Sequence, residues 1–167
     1  ALLDEEINGL GGIGAREWAD HKGLPRSAVI PRPSGEAVSG DTVGVIAMDS
    51  DGLMVTATST GGCSNRPAGR IGDVPLPGSG FWVESDIAVA ATGIGEAITR
   101  EILSHRVHGW ISRDGMPMEH AFEKVIKTRF DKSTEVGLIG MSGDGSCVAR
   151  ANTNMPWASW DSDGIRG

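Results

Sequence analysis

From Val43 to Met48 the chain is apolar at every position, the pattern of a strand covered on both faces. Asp49-Ser50-Asp51-Gly52 has the composition of a tight hairpin turn, with glycine supplying the positive φ, and Leu53 to Ser59 reads as the returning strand. Antiparallel pairing across that turn brings Thr60 back to the neighbourhood of Thr42, eighteen positions earlier. Two hydroxyls then sit side by side at the open end of one hairpin. Threonine is also an ordinary strand former, so the hairpin alone does not separate a site from a well-made sheet.

The rest of the pattern surrounds this hairpin. Glycines at 9, 11, 12 and 14 precede a short helical stretch, Ala15 to Ala19. Residues 24–41 hold Pro25, Pro31 and Pro33 among several serines and read as an exposed linker. Residues 61–80 are rich in glycine and proline, with Arg66, Arg70 and Asp73 as their only charges, and form a long loop of the kind that usually serves a site. Ile87 to Ala91 is a buried strand. It runs into Thr92-Gly93-Ile94-Gly95-Glu96 and a helix ending near Gly109, with Ile94, Ala97, Ile98 and Ile102 on its apolar face. Pro117 opens a second helix carrying Met118, Phe122, Val125 and Ile126 in register. Gly137–Ser142 and Cys147–Ala151, joined through Gly143-Asp144-Gly145-Ser146, make a second hairpin. Two hairpins flanking a helix pair predict an α+β fold with helices layered on largely antiparallel sheets.

Composition narrows the function classes. A chain of 167 residues, 39% hydrophobic and 22% charged, has room for one domain with a substantial core. A net charge of −7 without any basic run argues against nucleic acid or an anionic membrane as partner. Cys63 and Cys147 lie far apart with no CxxC spacing, so neither a disulfide framework nor a zinc site is indicated, and a reducing cytoplasm is the expected setting. There is no signal peptide and no apolar run long enough to cross a bilayer. Ala1 in place of a methionine marks a processed, truncated or first-observed position.

Most candidate motifs are weak. Gly93-Ile94-Gly95 after a strand opens like a dinucleotide fingerprint, yet the third glycine is missing and Glu96 would face the pyrophosphate. Glu101, His105 and His108 lie close along one helix, where helix-end solvation accounts for them as well as a metal does. His21 and His120 have no nucleophilic or acidic companion in sequence, so a histidine-based triad has no support. Neither a metal nor any other cofactor is called for. Arg70 and Asp73 stand apart: a forked guanidinium suits a carboxylate and a nearby carboxylate suits an ammonium, so together they can grip an amino acid by both ends. A local salt bridge is the plainer alternative.

Five segments, in order and at compatible spacing, carry a resemblance: Thr42-Val43-Gly44, Thr58-Ser59-Thr60-Gly61-Gly62, Gly69-Arg70-Ile71-Gly72-Asp73, Pro77-Gly78-Ser79-Gly80 and Thr92-Gly93-Ile94-Gly95-Glu96. Over residues 10–160 the chain resembles the plant-type L-asparaginase and isoaspartyl peptidase family, N-terminal-nucleophile hydrolases related to glycosylasparaginase and threonine aspartase. The resemblance implies a four-layer αββα sandwich and a precursor that cuts itself between Asp41 and Thr42. Residues 1–41 would then be the end of an α subunit with its linker, and 42–167 a β subunit. It further implies Thr42 as nucleophile and base, Thr60 as its orienting partner, and Thr92 with Gly93 as the oxyanion hole. Arg70 would hold a substrate α-carboxylate, with Asp73 and the Gly95 carbonyl holding its α-ammonium. The implied substrate is L-asparagine or a β-aspartyl dipeptide, and the implied assembly a dimer of αβ units.

Departures from the family pattern bear on the substrate. Asp41 leans towards glycosylasparaginases and threonine aspartases and Gly80-Phe81-Trp82-Val83-Glu84 towards threonine aspartases, whereas Asp73 favours a substrate with a free ammonium. The ranking is therefore asparaginase and isoaspartyl peptidase, then a glycosylasparaginase-like amidase, then a site-specific protease. Family precursors carry a long segment ahead of the part matched here. An inactive member retaining the fold as a binding module is the non-enzymatic alternative.

Overall fold

A computed structural model describes residues 9–28, 42–67, 69–84 and 86–167. These fall into two compact units, residues 9–28 with 67 and 69 in one and the remainder in the other. The first contains helix α1, Gly12–His21, which has no buried residue. Most of the proposed linker, and Asp41 with it, lies outside the described residues.

The second unit is built on two antiparallel sheets. β1, Val43–Met48, and β2, Met54–Ser59, form the expected hairpin, with Gly52 at φ 83° in its turn. The Asp49 carboxylate accepts from the Asp51 and Leu53 amides and fixes that turn. The larger sheet has four strands in the order β3, Phe81–Glu84, β4, Ile87–Gly93, β5, Val136–Ser142, and β6, Cys147–Ala151. Helices α2, Gly95–Glu101, α3, Leu103–Ser112, and α4, Met118–Arg129, cover one face of this sheet. Alternate residues of β4 decide what meets what. Ile87, Val89 and Ala91 join Ile98, Leu103, Val107, Phe122 and Val125 in the core, while Ala90 faces the hairpin, where a Cβ on Gly44 would touch it. Burial of every residue from Ile87 to Ala91 follows, because β4 is covered on both sides. A further short hairpin, β7, Ser159–Asp161, and β8, Gly164–Arg166, follows β6 as a separate two-stranded sheet. Among the described residues no helix is long and apolar enough to cross a membrane.

Three expectations need correction. Only the inward face of β1 is covered among the described residues: Gly44, Ile46 and Met48 are half-buried, but Val43 and Val45 are 57% and 55% exposed. The helix expected to run unbroken to Gly109 divides at Ile102, which adopts a left-handed conformation at φ 48°. The break turns Ile102 out to solvent, and of the supposed apolar stripe only Ile98 is fully buried. Finally, β3 and the β7–β8 hairpin are strands that the sequence reading did not assign.

Candidate functional site

The register of the hairpin decides its chemistry. Val43 pairs with Ser59, so Thr42 and Thr60 form the next pair beyond the last rung, at the open end. The Thr42 hydroxyl approaches the Thr60 hydroxyl at 3.4 Å, the long limit of such a contact, and the Gly62 amide donates to Thr60 Oγ1 at 3.0 Å. Thr60 is thereby fixed from its own loop, leaving the Thr42 side chain to be oriented by it.

β4 delivers Thr92 and Gly93 to the same end of the molecule. Thr92 and Thr42 line one cavity of about 160 Å³, bounded also by Gly44, Gly137, Met155 and Trp157. Gly93 has φ 138°, and a Cβ there would lie 2.2 Å from the Glu135 carbonyl oxygen, so only glycine fits. Gly137 pairs with Thr92 across β4 and β5, and a Cβ there would run into Met155 Sδ. The absence of a side chain at that position lets residues 155–158 close over the cavity.

Arg70, Asp73 and Gly95 are brought together at the start of α2. A Cβ on Gly95 would lie 2.6 Å from Asp73 Oδ1 and 2.7 Å from Arg70 Nη2, and a Cβ on Gly72 would meet Arg70 Nη1 at 2.5 Å. Two glycines therefore make the slot in which the guanidinium lies. Glu96 grips its Nε–Nη2 edge with two hydrogen bonds of 3.0 and 2.9 Å, and Arg66 reaches the same carboxylate at 3.4 Å. Hydrogen bonding from Arg70 holds the Glu96 carboxyl at about 2, well below the usual range. The same bond raises the Arg70 guanidinium. Asp73 behaves in the opposite way: it is buried, and desolvation pushes its carboxyl up despite its own and the Val74 amide and the nearby Arg70 charge. Among the described residues its Oδ2 has no hydrogen-bond partner. A buried carboxylate oxygen without a donor is costly.

Arg70, Asp73 and Gly95 do not line the cavity that holds Thr42 and Thr92. The two parts are joined by the Thr92–Gly95 turn, whose ends lie within about 11 Å of each other because three peptide links separate them. The other sequence candidates have structural partners. His108 Nε2 lies 3.3 Å from the Glu84 carbonyl, His105 packs edge-on to Trp82, and Glu101 pairs with Arg106 and Arg129. Among the described residues no three His, Cys, Asp or Glu side chains are grouped to hold a metal ion. Cys63 and Cys147 are both exposed, and neither forms a disulfide.

Sequence reasoning missed Glu96 as a partner of Arg70, and Gly137, Met155 and Trp157 as cavity walls. Glu96 follows Gly95 directly and offered a signal in its position opposite the only two arginines of the long loop. The walls offered none, since they depend on how residues 155–158 fold back.

A family model described as "Asparaginase" matches residues 14–166. A "Plant-type L-asparaginase" of Pyrobaculum calidifontis is 41% identical over 74% of this chain and 42% of its own length. An "Isoaspartyl peptidase/L-asparaginase" of Macaca fascicularis is 38% identical over 71% of this chain and 39% of its own, and an "Isoaspartyl peptidase" of Escherichia coli K12 is 32% identical over 84% and 42%. The chain spans less than half the length of these curated relatives.

Proposed function

The chain belongs to this asparaginase family, and from that premise we propose that it is the nucleophile-bearing part of a self-cleaving threonine amidohydrolase. Its substrates in this reading are L-asparagine and β-aspartyl dipeptides. The observation that carries the reading is the pairing of the Thr42 and Thr60 hydroxyls at the open end of the hairpin, with Thr42 lining a cavity together with Thr92.

Cleavage between Asp41 and Thr42 turns Thr42 into an amino terminus. A threonine hydroxyl is a weak nucleophile, and the freed amine, with a reference pKa of about 8, is a base at short range. The Thr42 Oγ attacks the β-carbonyl carbon and its proton passes to the amine. Thr92 Oγ and the Gly93 N–H meet the oxyanion, a contribution commonly worth about 10²–10³ in rate per donor. The carbon–nitrogen bond then breaks, the amine returns its proton to the departing ammonia or amino acid, and water hydrolyses the acyl ester to aspartate and free Thr42. Arg70 holds the α-carboxylate through the edge that Glu96 leaves open, and Asp73 with the Gly95 carbonyl holds the α-ammonium. The unpartnered Asp73 oxygen favours this over a protease acting on an internal aspartate, which has no free ammonium to offer.

Residues 1–41 belong to the α subunit in this reading and 42–167 form β. A fourth, helical layer from the α subunit covers the exposed face of the β1–β2 hairpin and completes an αββα sandwich. The αβ units pair as dimers in the cytoplasm. Intact mass measured over time, with amino-terminal sequencing of fragments, tests the centre of the proposal. Wild type should yield a fragment beginning at Thr42 and then release ammonia from L-asparagine, while Thr42→Ala stays whole and inactive. A folded wild type that remains uncut, or a Thr42→Ala chain that still cleaves, would refute it.

A further inference from the structure

We infer that Thr58 is a positioning residue: its hydroxyl holds the Asp73-Val74 segment to the strand that leads into Thr60, and so sets the ammonium anchor in a fixed place relative to the nucleophile. The inference rests on the reaction proposed above, in which Asp73 grips the α-ammonium of the substrate. Thr58 and Thr60 are two residues apart along one extended segment, so their side chains lie on the same face of the hairpin. That face is the inward one, since Thr56, Thr58 and Thr60 are half-buried whereas Val55, Ala57 and Ser59 are exposed. Thr60 meets Thr42 across the open end. Thr58 pairs with Gly44, which offers no side chain, and its Oγ1 instead donates to the Val74 carbonyl at 2.9 Å.

Val74 is therefore held at both ends. Its amide hydrogen-bonds the Asp73 carboxylate, and its carbonyl takes the Thr58 hydroxyl. The Asp73 carbonyl accepts from the Leu76 and Gly80 amides at 2.9 and 3.1 Å, which closes the loop on itself as a turn. Those bonds fix the carboxylate within its loop; the Thr58 bond fixes the loop against the hairpin. Two hydrogen bonds thus lead from the strand before Thr60 to the anchor, Thr58 to Val74 and Val74 to Asp73. Valine has nearly the shape of threonine and is as good a strand former, so packing alone does not call for a hydroxyl at this position. Val74 is buried, and a buried carbonyl needs a donor; a purely structural role is the competing account. The two differ in substrate choice, because a shifted ammonium anchor affects only substrates that carry the ammonium.

The test compares L-asparagine with succinamate, which keeps the carboxylate and the side-chain amide but lacks the α-ammonium. Ammonia release and Tm are measured on the intact polypeptide as wild type, Thr58→Val, Thr58→Ser and Thr42→Ala. Wild type should prefer L-asparagine. Thr58→Val should lower kcat/KM for L-asparagine by about tenfold or more, the effect of an anchor displaced by a fraction of an ångström, while succinamate changes by less than about threefold. Thr58→Ser keeps the hydroxyl and should retain most of the preference. An equal loss on both substrates, no loss on either, or a Thr58→Ser as impaired as Thr58→Val would overturn the inference while leaving the nucleophile intact. A Thr58→Val chain that no longer folds would overturn it too, by showing the hydroxyl to be structural. Wild type that turns over succinamate as well as L-asparagine, or undiminished hydrolysis by Thr42→Ala, would overturn the underlying reaction and this inference together.

Discussion

Replacing Gly95 by alanine separates the anchor from the fold. A methyl group there would sit 2.6 Å from Asp73 Oδ1 and 2.7 Å from Arg70 Nη2, where ordinary contact begins at 3.4 Å, so each group must give by about 0.7 Å. Both are ends of side chains; the nearest backbone atom, the Asp73 nitrogen, would lie at 3.3 Å and needs to give by only about 0.1 Å. Gly95 is the first residue of α2, where alanine gains less over glycine than the roughly 1 kcal/mol of a helix interior, so global stability should stay within about that amount of wild type. The displacement falls on the two groups that hold the substrate. A misplacement approaching 1 Å costs about 10²-fold in rate, equivalent to roughly 2.7 kcal/mol of barrier. Gly95→Ala should therefore lower kcat/KM for L-asparagine by about two orders of magnitude while Tm changes by no more than a few degrees. The assay is ammonia release on the self-cleaved protein, paired with thermal unfolding monitored by circular dichroism. Activity within threefold of wild type would show that Arg70 and Asp73 do not grip the substrate as proposed.

Asp73→Asn should raise stability at neutral pH and lower activity. The folded-state pKa of Asp73 is raised by burial, so its charge destabilises the fold once pH climbs past the ordinary carboxylate value, and removing it relieves that cost. Denaturant midpoints compared at pH 4 and pH 7 should show a gain for the variant that is larger at pH 7, with kcat/KM down at least about 30-fold. Glu96→Gln weakens the grip on Arg70 and should raise KM more than it lowers kcat. Because Glu96 titrates at about 2, below its unfolded value, the pair's contribution is present above about pH 4.5 and fades only as pH falls towards 2; an acid limb of activity set by the Thr42 amine, with its reference pKa of about 8, would survive in this variant unchanged. Phe122→Ala removes a fully buried ring from the centre of the core and should cost about 3–5 kcal/mol in urea unfolding.

What could be read from the sequence was local. The turn residues Asp49 to Gly52 fix the hairpin length, and length fixes register, so the meeting of Thr42 with Thr60 followed from counting. That Arg70 and Asp73 lie together was legible because charges are scarce in the loop that holds them. The Ile102 break was not legible: isoleucine gives no sign of a left-handed residue, and the conformation is imposed where α3 turns to pack its Leu103 and Val107 into the core. The covering of β1 was misjudged because apolar residues on both faces state a demand for cover without saying which chain segment meets it. β3 escaped notice since Phe81-Trp82-Val83-Glu84 is short and half-buried, and its pairing partner, Ile87 to Ala90, was identified only as a lone strand.

The β1–β2 hairpin is a sheet of two strands. Among the described residues, its outer edges therefore carry rows of backbone amides and carbonyls with no neighbouring strand, and the exposed valines lie beside them. Such edges recruit other chains. Residues 42–167 produced alone should accordingly accumulate as strand-paired aggregates, and adding lysines at Val45 and Val55, whose side chains point outward, should recover dispersed protein. The strand that directly follows the candidate nucleophile is thus also the one whose solubility depends most on early company, and any expression strategy has to supply that company during synthesis.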